Sequence, residues 1–217
     1  MIIAIDGPAG AGKSTVAKIL AKRLNFIYID TGAMYRALTL KTLEQNLDTN
    51  DTTNIIKMAA HTNIDLVSNN NGALRVLLDN RDVSDLIRQP RITKLVSDIA
   101  KIKEVREVML ELQRRLGLEG DCVLDGRDIG TVVFPNAEYK FYIDARFQER
   151  VERRYKELID LGQDITFEEV EKDLQNRDTI DSNRQFAPLK KADDAEYIDT
   201  THMNIDEVVV KLVSFIH

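Results

Sequence analysis

The chain has 217 residues, 43% hydrophobic and 30% charged, which suits one globular domain with a sizeable core. Its 30 Lys+Arg against 36 Asp+Glu leave a net charge of −6, which argues against coating nucleic acid through the overall field but allows a local basic cleft. The single cysteine, Cys122, excludes an intrachain disulfide and any multi-cysteine metal site.

The first element is a short apolar run, Met1–Ile5, ending in Asp6, which predicts a buried parallel strand. It is too short and lacks the basic leader of a signal peptide, and no run in the chain approaches the ~18 apolar residues of a membrane span. Directly after it comes GPAGAGKST, Gly7-Pro8-Ala9-Gly10-Ala11-Gly12-Lys13-Ser14-Thr15, which fits G-x-x-x-x-G-K-[ST]. In such a loop the main-chain N–H groups wrap a nucleotide's phosphates, Lys13 reaches the β and γ oxygens, and the Ser14 hydroxyl ligates Mg²⁺. Val16, Ala17, Leu20, Ala21 and Leu24 then recur on one face of a helix, and Phe26–Ile29 ending in Asp30 predicts a second strand. Strand, glycine loop, helix and strand form the βαβ context that the motif requires.

Asp30-Thr31-Gly32-Ala33-Met34-Tyr35-Arg36 follows, with an arginine able to fork a phosphate beside a second helix N-terminus. Residues 63–83 break the α/β rhythm. They predict short antiparallel strands separated by turns at 69–72 and at Asp79-Asn80, so about 63–92 is expected to be an insertion outside the main sheet. A helical stretch over about 91–116 returns to the core. Cys122–Leu124 is a strand ending in Asp125, and the apolar setting marks Cys122 as a buried thiol rather than a nucleophile. It opens the motif Asp125-Gly126-Arg127-Asp128-Ile129-Gly130-Thr131, in which Arg127 offers a phosphate fork and Asp128 an acceptor for an exocyclic amine or ring N–H. A plain ion pair between Arg127 and Asp128 is the competing reading. Tyr139–Ile143 ending in Asp144 is the next strand.

Residues 146–162 predict an amphipathic helix stopped by Gly162, with Arg146, Arg150, Arg153 and Arg154 along one face. Arg146 is assigned to a solvated face balanced by glutamates, whereas Arg150 and Arg154 lean towards function. Thr166 and Glu169 form a capping box, so a second helix is expected to reach about Arg177. Arg177 and Arg184 flank a polar cluster, RDTIDSNR. A strand at Glu196–Asp199 and a helix over about 204–216 close the chain. His61, His202 and His217 have no metal-ligand spacing.

The pattern is a phosphate loop with many arginines and no histidine or cysteine placed as a general base. A phosphate acceptor explains this, because its oxygen is already anionic (second pKa about 6) and needs cations rather than a base. An alcohol acceptor would instead need a positioned carboxylate, for which Asp30 or Asp128 would serve. A GTP switch lacks an N-K-x-D motif, and a purely structural nucleotide-binding module has no use for a second arginine-rich site.

IDGPAGAGKST (5–15), DTGAMYR (30–36), the β insertion with VREVML (105–110), DGRDIGTVVFP (125–135) and RDTIDSNRQFAPL (177–189) together resemble the bacterial cytidylate kinase family of P-loop nucleoside monophosphate kinases. The resemblance runs nearly end to end, and DGRD followed by GTVVFP is far more specific than the glycine loop alone. It implies an α/β fold of the P-loop NTPase type: three layers around a central parallel sheet of about five strands, with an antiparallel β insertion at the acceptor site and a helical lid. The single domain would comprise a core of 1–62, 93–145 and 185–217, an insertion of about 63–92 and a lid of about 146–184. The implied reaction is ATP with CMP or dCMP, dependent on Mg²⁺, by a cytoplasmic monomer that binds neither nucleic acid nor membrane.

The resemblance also implies residue roles. Gly7–Thr15 would hold the ATP phosphates, and Lys13, Arg127, Arg150, Arg154 and Arg184 would act on the transferring group. Arg36 and Arg127 would hold the acceptor phosphate. Arg106 and Asp128 would read the cytosine edge beside Thr31, Tyr35 and Gly126. Arg177 and Asp181 would touch the pentose, with Ser97 supporting Asp181.

Overall fold

Ile3 and Ile5 pack on one side of their strand and Ala4 on the other, and all three are fully buried, so this strand needs cover on both faces. The computed structural model, which describes residues 1–68 and 74–216, supplies that cover. β1 (Ile2–Asp6) leads through the glycine loop to α1 (Lys13–Leu24), and β2 (Ile27–Asp30) to α2 (Thr31–Glu44) and α3 (Thr52–Ala60). β3 (Ile64–Ser68), β4 (Leu74–Leu78) and β5 (Arg81–Asp82) precede α4 (Pro90–Ala100) and α5 (Lys103–Gly117). The chain continues through β6 (Cys122–Gly126), a π-turn at Ile129–Val133 and β7 (Tyr139–Asp144). It closes with α6 (Phe147–Asp160), α7 (Phe167–Asn183), β8 (Glu196–Asp199) and α8 (Ile205–Val213).

The main sheet has five parallel strands in the order β2-β6-β1-β7-β8. One face is sealed by α1 and α8, where Val16, Leu20, Val209 and Leu212 meet Ile3, Ile5 and Phe141. The other packs Ala4, Ile29 and Leu124 against α2, α3 and α5. Helices on both faces of a parallel sheet give the expected three layers.

The insertion is a separate antiparallel sheet, β3-β4-β5, turned at Asp79 and Asn80, whose φ angles of 49° and 66° suit a tight hairpin. It lies outside the main sheet as expected, but Ile64, Val76 and Leu78 belong to the same apolar core as α2 and α5. The turn expected at 69–72 and His217 lie outside the described residues.

Two helix boundaries differ from expectation. The stretch over 91–116 is two helices, because Ile102 leaves the helix with an extended backbone (ψ 118°) and buries its side chain in the core. No glycine or proline marks that break. α7 keeps its capping box but continues past Arg177 to Asn183, with Val170, Leu174 and Asp181 buried. A third apolar cluster joins α6 and α7 through Val151, Leu158, Val170 and Leu174, and it includes Ala9 of the glycine loop.

Gly7 sits where the loop leaves β1, with φ +148°, and a Cβ there would fall on the Ile143 carbonyl oxygen, well inside contact distance. Gly7→Ala is therefore expected to destabilise the fold by at least about 2 kcal/mol. A urea midpoint indistinguishable from wild type would show that the strand end yields instead.

Candidate active site

Parallel register fixes where the strand-end carboxylates lie. Asp6 stands opposite Gly126 and Tyr142, Asp30 opposite Asp125, and Asp144 opposite Asp199. All lie at the carboxyl edge of the sheet, where open α/β folds bind ligands. The glycine loop rises from the middle of this edge. Its helix, α1, starts with neither a side-chain cap nor an acidic residue in its first turn, which leaves its N–H groups for an anion. Lys13 is buried and donates to the Pro8 carbonyl at 2.6 Å. Burial, with the nearby Arg127 charge, pushes its pKa well below the ordinary lysine value.

Behind the loop, Asp125 accepts from Ser14 Oγ at 2.7 Å and from the Tyr28 hydroxyl at 2.8 Å. Burial, reinforced by Asp30 alongside, raises its carboxyl to about 6. Asp6 is raised to about 7 by burial, although it accepts from the Ile129 and Gly130 N–H groups at 2.8 and 2.7 Å. It thereby ties the π-turn after the DGRD motif to the root of the phosphate loop. Among the described residues no group of three or more His, Cys, Asp or Glu gathers around a metal position. Ser14 and Asp125 instead offer the sparse protein ligand set that Mg²⁺ uses when phosphates supply the rest, so the residues fit that ion.

Arginines converge on the same edge from four elements. Arg36 on α2 pairs with Asp30 at 3.2 Å, while Asp30 also caps α2 by accepting from the Ala33 N–H. Arg127 pairs through Nε with Asp181 on α7 at 2.9 Å and donates to the Gly126 carbonyl. The reading in which Arg127 simply pairs with Asp128 is therefore overturned, because α7 runs far enough to bring Asp181 to Arg127. Asp128 turns the other way, to Arg106 Nη2 at 2.6 Å and Arg184 Nη2 at 3.5 Å. Arg106 also lies over the Tyr35 ring, 5.2 Å from its centre, and donates to the Ala100 carbonyl at the end of α4. Thr31 Oγ1 donates to the Asp125 carbonyl, and a Cβ on Gly126 would stand 2.8 Å from that hydroxyl. Asp181 is held below the usual carboxylate range: burial opposes this, but Arg127, Arg184 and Arg177 outweigh it.

Arg177 is different. Its Nε is buried without a hydrogen-bond partner and no ion pair reaches its guanidinium among the described residues. Burial, then the nearby Arg127, lowers it to about 10, with Arg36 and Arg154 adding to the crowding and Asp181 only partly offsetting it. Among the described residues Arg154 pairs only with the exposed Glu157, at 2.8 Å. Arg154 and Arg177 also line a small pocket between α4 and the α6–α7 pair, beside Arg88 and Lys94. Arg150 is buried against the loop and reaches the Ala9 carbonyl at 2.8 Å.

Comparison with known proteins decides the family. The sequence profile of the cytidylate kinase family matches residues 3–217. A cytidylate kinase from Clostridioides difficile is 52% identical over 100% of this chain and 98% of its own length. One from Carboxydothermus hydrogenoformans is 49% identical over 100% of this chain and 97% of its own. The chain belongs to the cytidylate kinase family. A solved structure of an uncharacterized protein from Eubacterium ventriosum shares the fold alone, with a TM-score of 0.53 at 12% identity over 100% of this chain and 97% of that one.

Within this kinase fold most of the expected site residues converge, with one exception. Ser97 is buried on α4 but makes no hydrogen bond to Asp181 among the described residues. Ser14 and Thr15 are both exposed on the first turn of α1. Arg146 is exposed as assigned, but Arg153 is not simply solvated, since it donates to the Thr200 hydroxyl and carbonyl and pins α6 to the end of β8. Sequence reasoning missed Tyr28 and Asp178. Tyr28 lies in an apolar strand whose alternation hides a hydroxyl aimed at the neighbouring strand end. Asp178 lies beyond the expected end of α7, so its helical face went unread. Cys122 is fully buried, with its thiol pushed up to about 11 by burial, which makes it unreactive.

Asp6 provides a pH test. Its folded pKa of about 7 exceeds the ordinary carboxyl value, so folding favours its protonated form. The associated stability is complete below about pH 4, declines as pH rises, and is gone above about pH 7. Asp6→Asn has no such titration. The stability gap between wild type and this variant should narrow by about 2–4 kcal/mol from about pH 4 to about pH 8 in urea titrations, and a gap that widens would contradict the assignment.

Proposed function

We propose that the chain transfers the γ-phosphoryl group of ATP to CMP or dCMP, giving ADP and CDP or dCDP. The observation that carries this reading is the second cationic site opposite the glycine loop, where Arg177 has no ion-pair partner among the described residues and stands with Arg36, half-buried on Asp30, and Arg127, fixed through its Nε on Asp181. Such a site suits two polyanions brought end to end.

In this reading Gly7–Thr15 cradle the ATP phosphates, and Lys13, Arg150, Arg154 and Arg184 act with Arg127 on the transferring group. Mg²⁺, held by Ser14 with Asp125 behind it, would neutralise phosphate charge and keep the donor oriented. An oxygen of the acceptor phosphate forms the new P–O bond, and the bridging oxygen leaves with ADP. The acceptor dianion has no proton to lose, so catalysis is positioning and charge neutralisation in a loose transition state. Arg36 and Arg127 hold the acceptor phosphate, and Arg177 and Asp181 the pentose, with Ser97 behind.

Arg106 and Asp128 explain the base. Cytosine offers an exocyclic amine to the carboxylate and ring acceptors to the guanidinium, beside Thr31, Tyr35 and Gly126. Uracil would turn a carbonyl towards Asp128 and be repelled. The same reading divides the chain into core, insertion (63–92) and lid (146–184). It places the protein in the cytoplasm as a monomer acting on small molecules, which accords with a net charge of −6 and one buried thiol.

ADP release from ATP with CMP, dCMP, UMP, AMP and GMP tests this directly. CMP or dCMP is expected to lead; AMP or GMP in front would sink the base assignment. Lys13→Ala is expected to lower kcat at least about 100-fold. Arg127→Ala should raise KM for CMP more than KM for ATP, and unchanged CMP kinetics would defeat the clamp.

A further inference from the structure

Next to Arg177 on α7 stands a carboxylate that none of these roles uses. Asp178 Oδ1 accepts from the Ala9 N–H of the glycine loop at 3.0 Å, and its Oδ2 accepts from Arg150 Nη1 at 2.5 Å. The same arginine nitrogen donates to the Ala9 carbonyl at 2.8 Å, and its Nε donates to the Ala145 carbonyl at 3.1 Å. One carboxylate and one guanidinium thus take both main-chain groups of Ala9. The Ala9 side chain is buried among Val151, Leu158, Val170 and Leu174 of α6 and α7. Polar and apolar contacts therefore clasp the same point of the loop. Among the described residues the only other ion-pair partner of Arg150 is Asp144, 3.7 Å from Nε. Asp178 also lies within the field of Lys13 and Arg127.

We propose that Asp178 is a positioning residue for the phosphoryl donor: it fixes the Arg150 guanidinium against the lip of the glycine loop before ATP arrives. An unfixed arginine would have to surrender its rotamer freedom on binding, and a buried one without a counter-charge would seek another partner. A charge-assisted hydrogen bond to a carboxylate that is itself tied to the loop removes both costs. This inference rests on the assignment of the loop and Arg150 to ATP.

The test is steady-state kinetics of the full chain as wild type, Asp178→Asn, Arg150→Ala and the double variant, with a non-hydrolysable ATP analogue titrated in parallel. Asp178→Asn is expected to raise KM for ATP and the analogue Kd about fivefold or more, while KM for CMP stays within about twofold. In the Arg150→Ala background the same substitution should change KM for ATP by less than about twofold, because its effect runs through Arg150. Equal rises in both KM values, or additive effects in the cycle, would overturn the proposal. So would tighter ATP binding, which would make Asp178 a competitor of the phosphates. Should Asp178→Asn not fold, Asp178→Glu is expected to give the same split with a smaller rise, and equal rises would again overturn it. A wild-type protein that does not phosphorylate CMP from ATP would sink the functional reading itself, and that result precedes any variant.

Discussion

The site depends on one packing constraint, the central position of β1 in a parallel sheet covered on both faces. Because β1 pairs with β6 on one side and β7 on the other, its end delivers the glycine loop between the DGRD motif and the start of the α6–α7 pair. The register leaves no choice of neighbours: Asp6 must meet the turn after Gly126, and Asp125 must meet Asp30. A slip by one residue would turn Ile3 and Ile5 out of one core and Ala4 out of the other, so apolar burial enforces the polar geometry.

Charge then sorts the arginines into two kinds. Arg106, Arg127 and Arg184 are held by Asp128 and Asp181, two buried carboxylates. Removing one partner from such a buried pair costs about 3–5 kcal/mol, because the remaining charge is stranded. These pairs accordingly keep their shape. Among the described residues no carboxylate forms an ion pair with Arg177 or Lys13, and burial lowers the pKa of both. Their stranded charge favours any anion that enters.

Much of this was legible in the sequence because the signals are local. The glycine loop lies between a five-residue apolar run and an amphipathic helix, and five strand ends carry an aspartate. The capping box at Thr166 announced where α7 begins. What could not be read depends on tertiary burial. Ile102 breaks a helix because the core takes its side chain, and no residue type marks that event. Nothing in the polar run RDTIDSNR says that it is helical to Asn183. Only that continuation sets Arg177, Asp181 and Arg184 on one face and turns Asp178 towards Arg150. The partner of Arg127 was unreadable for the same reason, since Asp181 lies 54 residues away.

The carboxylates at the sheet edge also decide between a phosphate and an alcohol as acceptor. An alcohol needs a base with a free oxygen in reach. Asp30 spends one oxygen on the Ala33 N–H and the other on Arg36, and Asp128 divides its two between Arg106 and Arg184. Asp6, raised to about 7, would be well tuned as a base, yet both its oxygens hold main-chain N–H groups. Asp125 is occupied by Ser14 and Tyr28 in the same way. Each of these carboxylates is already committed to orienting a donor. That arrangement suits an acceptor that arrives already ionised, since the aspartates hold the arginines, the loop and the turn in place.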